Sequence, residues 1–245
     1  MEDDESPIEL GPVPAWSFSR LVNYEKCPYM TYLSSVEKIK GPVKGPDNPA
    51  ERGTAMHAVC EDWVQGKSDE TIKEMGYFQE EFDQMREQYK AGNVELEGDW
   101  GFDIDWQKTG WYDNDVWARI KLDAFWHIDD STARVIDYKS GKKYGNEFKH
   151  TSQCQLYMVG AFMRHPELDL IQTELWYLDQ DSYMKKTYTR DKLPLYLKKF
   201  TKRAMAMTTA TEFPAKPNKS NCRWCDYGIE NGTGDCIYAV PYDYV

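Results

Sequence analysis

From Phe102 onward the side-chain pattern changes from helical to strand-like. Phe102-Asp103-Ile104-Asp105-Trp106 alternates apolar with polar residues, and Val116-Trp117-Ala118-Arg119-Ile120-Lys121-Leu122-Asp123-Ala124-Phe125-Trp126 does so in part. A period of two sends successive side chains to opposite faces of a sheet, so both segments are expected to be strands. Asp129-Asp130-Ser131 makes a polar turn, and Arg134-Val135-Ile136-Asp137-Tyr138-Lys139 is the next expected strand. Residues 151–164 read as a helix, 171–178 and 183–189 as strands around the turn Asp179-Gln180-Asp181-Ser182, and 191–208 as a basic helix. Upstream, Ser17 can cap a helix beginning near Phe18, Cys27-Pro28 interrupts it, and Tyr29-Met30-Thr31-Tyr32-Leu33 gives a further short turn. A Gly/Pro loop at 40–49 precedes helices expected over 50–66 and 68–91. Helices, a meander of strands, a helix, two strands and a last helix describe an α/β (α+β) chain with one mixed sheet.

A length of 245 residues suits one large domain, or one domain with a small lobe. Residues 1–15, acidic and then proline-rich, are expected to be a disordered acidic tail. Residues 16–100 would form an N-terminal helical region, 101–210 the mixed-sheet core and 211–245 a cysteine-bearing end. Leu, Ile, Val and Phe make up only about 18% of the chain, a share typical of disordered sequences. The 17 Tyr and 9 Trp restore the apolar area that a core needs. No apolar run approaches the roughly 20 residues of a membrane span. Met1-Glu2-Asp3-Asp4-Glu5 also lacks the basic start of a secretion signal. A cytoplasmic protein without a disulfide framework is expected.

As a mean, the formal net charge of −11 argues against a nucleic-acid partner, because phosphates attract Lys and Arg. The charge is unevenly spread. Residues 94–130 carry ten acids and three bases, whereas 185–203 carry eight bases and one acid. Lys185, Lys186, Lys198, Lys199, Lys202 and Arg203, with Arg190 and Lys192, are the candidates to meet phosphates, and Lys142, Lys143 and Lys149 extend that track. For any one of them a solvated helix face is the alternative. The acidic residues in 94–115 would repel DNA and instead face solvent or a protein partner.

Asp123 and Asp137 fall on adjacent strands joined by a short turn, which brings two carboxylates together at one end of the sheet. Held there, they repel unless a divalent cation sits between them, and hard oxygen ligands suit Mg²⁺ or Mn²⁺. Lys139 shares a face with Asp137 and so points beside such a cation, where it could orient water or stabilise charge on a phosphate. A charged surface turn is the commoner fate of an Asp-x-Lys sequence. His57 and Glu61 lie at i, i+4 on one helix face, as an additional metal ligand with its partner or as an ordinary surface pair. Gln153 and Tyr157 share a helix face too, to bond a DNA phosphate or the lysine, or simply to pack.

His57, Asp123, the Asp137-Tyr138-Lys139 triplet and Gln153-x-x-x-Tyr157 occur in the order and approximate spacing of the RecB-type branch of the PD-(D/E)XK nuclease superfamily. From Ser17 onward the chain resembles the CRISPR-associated and phage-borne RecB-like exonucleases. That resemblance implies a restriction-endonuclease-like core with an N-terminal helical part. It also implies His57, Asp123 and Asp137 as ligands of Mg²⁺ or Mn²⁺, assisted by the backbone carbonyl of Tyr138. Lys139 would be the catalytic lysine, with Gln153 and Tyr157 supporting DNA binding and geometry. Leu122 stands where the superfamily's name has a proline. Glu61 is placed by extension as an outer-sphere or second-metal residue.

Ser17 to Pro28 looks like the N-terminal segment of members in which one early and three late cysteines hold a [4Fe–4S] cluster. Here these would be Cys27, Cys222, Cys225 and Cys236, stapling the C-terminal segment to the beginning of the chain. Thiolates suit iron–sulfur clusters and Zn²⁺ alike, so a structural zinc site is the alternative. The ten residues between Cys225 and Cys236 exceed the family's usual gap, and Gly228, Gly232 and Gly234 are expected to give that insertion the flexibility to close. Cys60 and Cys154 read as small buried hydrophobes.

The expectation is thus a Mg²⁺- or Mn²⁺-dependent deoxyribonuclease, an exonuclease acting on DNA with free ends, located in the host cytoplasm if phage-encoded. Its alternatives are a catalytically silent DNA-binding or assembly module of the same fold, and a zinc-stapled nuclease. A thiol oxidoreductase using Cys222 and Cys225 lacks the βαβ context such a motif needs.

Overall fold

The computed structural model describes residues 8–43, 45 and 48–241. Its elements in chain order are β1 (Trp16–Ser17), α1 (Phe18–Lys26), α2 (Pro28–Thr31), α3 (Pro49–Gln65), α4 (Gln79–Lys90), β2 (Val94–Phe102), β3 (Lys108–Thr109), β4 (Ala118–His127), β5 (Thr132–Lys139), α5 (Glu147–Arg164), β6 (Leu170–Tyr177), β7 (Ser182–Thr189), α6 (Leu193–Thr208) and α7 (Lys219–Arg223). They divide into two compact units, Lys44–Lys198 and a discontinuous one made of Met1–Val43 with Lys199–Val245. Among the described residues no helix is long and apolar enough to cross a membrane.

In the Lys44–Lys198 unit, strands follow the order β3-β2-β4-β5-β6-β7. All neighbours are antiparallel except β5 and β6. Parallel neighbours need a crossover, and α5 supplies it. Asn48 starts α3 by accepting from Ala50 N at 3.0 Å, Pro49 follows at the first helical position, and Gly66 ends the helix at φ +71°. From α3, Met56, Cys60 and Val64 pack with Phe82 and Met85 of α4 against Ala124, Trp126, Ile136, Tyr138 and Trp176. Fully burying one such side chain contributes about 1.5–3 kcal/mol. Helix α5 packs on the sheet closely because of Gly160, where a Cβ would meet Ile120 Cδ1 at 2.7 Å. Val135 and Ile136, adjacent on β5, are therefore both fully buried, as in a strand covered on two faces.

Two expected elements differ, and one strand is unexpected. The alternation at 102–106 is a strand end followed by a turn: Asp103 Oδ1 accepts from the backbone N–H of Asp105 and Gln107, and Trp106 takes φ +61°. The helix expected over 68–91 is shorter, with a 3₁₀ segment at Lys73–Phe78 that contains Gly76 before α4 begins. Strand β2 lies in the acidic stretch, whose charge points to exposed surface. Its register with β4 runs Leu96↔Ala124 and then Gly98↔Leu122, stepping over Glu97 and Asp123. Glu97 has φ +49°, a left-handed conformation that a glutamate adopts at a cost of about 1–3 kcal/mol.

In the discontinuous unit, α1 begins where Ser17 Oγ accepts from Arg20 N at 3.4 Å. Trp16 stacks on Phe200 with ring centroids 6.4 Å apart, and Tyr24 Oη donates to Ala206 O at 3.0 Å. Residues 1–7 of the expected tail lie outside the described residues. Of the remainder, Val13 and Ala15 are buried, and Gly11 N donates to Thr208 O at 2.7 Å.

Candidate active site

The pairing of β4 with β5 extends to Ala124↔Ile136, so Asp123 and Asp137 come next along the two strands. Both carboxylates are nearly closed off, at 8% and 7% exposure, which costs several kcal/mol unless donors or opposite charge compensate. Asp123 Oδ2 accepts from Tyr138 N at 2.5 Å, and its Oδ1 is 2.9 Å from His57 Nδ1 on α3. Asp137 Oδ1 accepts from Tyr157 Oη, while Oδ2 faces Lys139 Nζ at 2.5 Å. Lys139 Nζ also donates to Gln153 Oε1 at 3.0 Å, and Gln153 Nε2 donates to Tyr157 Oη at 2.7 Å. Asp137, Lys139, Gln153 and Tyr157 thus form a closed circuit. Local geometry produces it: residues two apart on β5 share a face, and residues four apart on α5 lie one above the other.

The electrostatics follow from this burial. Desolvation pulls the His57 pKa down, but the hydrogen bond and charge of Asp123, with Asp137 behind it, leave it raised. Asp123 is raised by burial and by the Asp137 charge, against the bond from His57. Tyr157 is held protonated, far above its ordinary value, by burial and by Asp137. It therefore acts here as a donor to the carboxylate.

The sequence profile of the PD-(D/E)XK nuclease superfamily matches residues 15–112 and 122–229, most of the chain and every residue of this constellation. The chain belongs to the PD-(D/E)XK nuclease superfamily. The mixed α/β architecture agrees with the restriction-endonuclease-like fold of that superfamily. No curated protein matches the chain. A solved structure described as "Crystal structure of SSO0001" is similar over 87% of this chain and 84% of that one, at 13% identity and a TM-score of 0.47.

PD-(D/E)XK nucleases bind DNA and use divalent cations such as Mg²⁺ or Mn²⁺. The donors present fit such an ion: two buried carboxylates and the His57 imidazole 2.9 Å from one of them. Glu61, one turn along α3 from His57, is placed by its own neighbour. It accepts from Gln65 Nε2 at 2.5 Å, while His57 turns to Asp123, the desolvated and hence stronger partner.

The four cysteines named for the cluster all fall in the discontinuous unit, where Cys27, Cys222, Cys225 and Cys236 line one small cavity with Met30 and Leu33. Cys27 Sγ accepts from Lys216 N at 3.4 Å. Burial pushes up the Cys225 and Cys236 thiols. The loop between them is shaped by tight packing more than by looseness. A Cβ at Gly228 would run into the carbonyl oxygen of Cys222, and one at Gly232 would lie 2.5 Å from Gly228 N. Cys60 and Cys154 are fully buried elsewhere, with thiols pushed up to about 12 and about 11 by burial, as expected for inert core residues.

The basic residues are less uniform than the sequence implies. Lys142, Lys186, Lys198, Lys199 and Lys202 are exposed. Lys143 Nζ donates to Tyr183 O at 2.9 Å, Lys185 pairs with Glu174 at 3.1 Å, and Arg203 forks onto Glu25 at 2.7 and 2.8 Å. Arg190 binds the carbonyls of Leu168, Phe162 and His165, so its charge serves the end of α5. Sequence reasoning missed His150, whose Nδ1 lies 2.7 Å from Oη of Tyr177, the β6 residue in register with Lys139. Its position four residues ahead of Cys154 on the buried stripe of α5 was the available signal.

Proposed function

We propose that this PD-(D/E)XK protein is a metal-dependent DNA exonuclease of the RecB type, acting in the cytoplasm, with a structural [4Fe–4S] cluster on Cys27, Cys222, Cys225 and Cys236. The observation that carries the reading is the circuit Asp137–Lys139–Gln153–Tyr157 closed beside the His57–Asp123 pair. A lysine paired with one of two buried carboxylates and steadied by an amide is arranged for phosphoryl chemistry, and a surface turn would not bury it. His57, Asp123 and Asp137 hold the cation, with the Tyr138 carbonyl assisting. When bound, Mg²⁺ or Mn²⁺ supplies a Lewis acid and a water of lowered pKa.

The chain's own groups do the remaining work. Lys139 orients the attacking water and offsets negative charge on the phosphoryl oxygens as the P–O bond breaks. Gln153 fixes the lysine, and Tyr157 keeps Asp137 turned toward the site. Lys142, Lys143, Lys185, Lys186, Lys198, Lys199, Lys202 and Arg203 contact the DNA backbone, the exposed lysines contributing most. The acidic residues in 97–115 face solvent or a protein partner.

Cluster and zinc make different demands on the sulfurs. Thiolates bound to one zinc at about 2.3 Å lie roughly 3.8 Å apart. Cys27, Cys222, Cys225 and Cys236 around one small cavity support a shared metal centre of either kind.

Digestion of end-labelled linear DNA beside covalently closed circular DNA in Mn²⁺ tests the exonuclease. Linear DNA is expected to shorten from its ends while the circle survives. Nicking of the circle at a similar rate would overturn the exonuclease reading, and inertness toward every substrate would favour the silent binding module. Visible absorption with iron analysis separates iron from zinc.

A further inference from the structure

Four residues beyond Asp123 on β4, about 13 Å along the strand, His127 meets Glu95 of β2 and His165 at the end of α5. One ligand atom from each lies within 4.8 Å of the other two. The two imidazoles are firmly placed. His165 stacks on Phe125 with ring centroids 4.5 Å apart and planes at 14°. His127 stands edge-on to the same phenylalanine at 4.8 Å and to His165 at 5.2 Å. The carbonyl of His165 is held by Arg190 at 2.7 Å, and His127 N donates to Asn93 O at 2.8 Å.

The decisive observation concerns the two nitrogens of His165. Nδ1 lies 3.2 Å from Glu167 Oε1. A carboxylate only accepts, so Nδ1 carries the proton and Nε2 presents its lone pair. That Nε2 is buried and has no hydrogen-bond partner, a state that costs about 1–3 kcal/mol unless something fills it. An imidazole with one nitrogen oriented by a carboxylate and the other bare is the arrangement of a metal-bound histidine and its supporting acid.

We propose that Glu95, His127 and His165 form a second metal site, separate from the nuclease centre, that takes Zn²⁺ with two nitrogens, one carboxylate oxygen and a water. Mixed nitrogen and oxygen donors favour zinc over Mg²⁺. Two ligands bound tetrahedrally at about 2.0–2.1 Å sit roughly 3.4 Å apart. Exposed Glu95 is free to change rotamer toward such a spacing. The ion would tie β2, β4 and the end of α5 together, away from the catalytic carboxylates. This inference does not depend on the exonuclease reading.

The test is a Co²⁺ titration of the full chain followed by difference absorption, with Glu95→Gln and His127→Gln alongside. A four-coordinate nitrogen–oxygen site gives intense d–d bands without the sulfur charge-transfer band that cobalt at the cysteines would show. Such bands are expected to saturate near one equivalent, to disappear on adding Zn²⁺, and to need at least tenfold more cobalt in each variant. Absence of these bands in the unaltered protein, or their persistence at unchanged affinity in either variant, overturns the site. Glu95 is exposed, so its variant keeps the test decisive even if His127→Gln folds poorly.

Discussion

Lys139 holds its ammonium 2.5 Å from Asp137 Oδ2, two residues back on the same strand, and 3.0 Å from Gln153 Oε1 on the helix that crosses over it. A lysine on a strand has many rotamers. These two contacts select the one that keeps its charge at the carboxylates, and Tyr157 closes the arrangement from the opposite oxygen of Asp137.

Tyr157→Phe removes the donor to Asp137 Oδ1 and the acceptor for Gln153 while keeping the ring. A hydrogen bond to a buried charge contributes about 1.5–3 kcal/mol. The variant is expected to stay folded but to need several-fold more Mn²⁺ for half-maximal cleavage. A metal-dependence curve superimposable on the parent's would show that Tyr157 only packs.

His150 is predicted to make stability pH-dependent. Burial first, then the charges of Lys139 and Lys149, push its pKa down to about 4. The unfolded chain therefore binds the extra proton first, and this contribution is lost as pH falls from about 6.5 to about 4, amounting to at most about 3 kcal/mol. Urea denaturation of the parent and His150→Gln should give a stability difference that is constant above pH 7 and shrinks across that window. A difference independent of pH would contradict the assignment.

Much of this was legible in the sequence, and the failures have physical causes. The order His57, Asp123, Asp137, Lys139, Gln153, Tyr157 survives because each side chain's direction is set locally by strand or helix period. Strands β4 to β7 were readable from alternation and polar turns. Strand β2 also alternates, with Val94, Leu96, Trp100 and Phe102 against Glu95, Glu97 and Asp99, but its charge concealed the period. The joining of residues up to Val43 with those after Lys199 depends on contacts nearly two hundred positions apart, which no local pattern encodes. Neither does one reveal that Arg190, in a basic run, spends its donors on three carbonyls.

Arg190→Ala leaves the carbonyls of Phe162, His165 and Leu168 without this donor. It should lower stability by about 2–3 kcal/mol, with the salt dependence of DNA binding unchanged. Lys186→Ala should do the reverse, leaving stability within about 0.5 kcal/mol and reducing the slope of log affinity against log salt by up to about one. Equal effects on the salt slope would return Arg190 to the DNA interface.

Cys222→Ser and Cys225→Ser are expected to abolish visible absorption and to lower the thermal midpoint, whereas Cys60→Ser and Cys154→Ser keep the colour. Gly232→Ala should weaken cluster retention as well, because its Cβ would lie 2.6 Å from Asp226 O. Optical spectra with iron and sulfide analysis check both statements. Colourless parent protein carrying one zinc would replace the cluster by the zinc staple.

The central claim rests on Lys139 acting as part of a metal-dependent nuclease centre. The most direct measurement is the rate at which Mn²⁺-supported nucleotides are released from linear DNA by the parent and by Lys139→Ala, with urea midpoints taken on both. A loss of about 100-fold or more at a nearly unchanged midpoint is predicted. A rate within about threefold of the parent's, or parent activity that persists in excess chelator, would contradict the account.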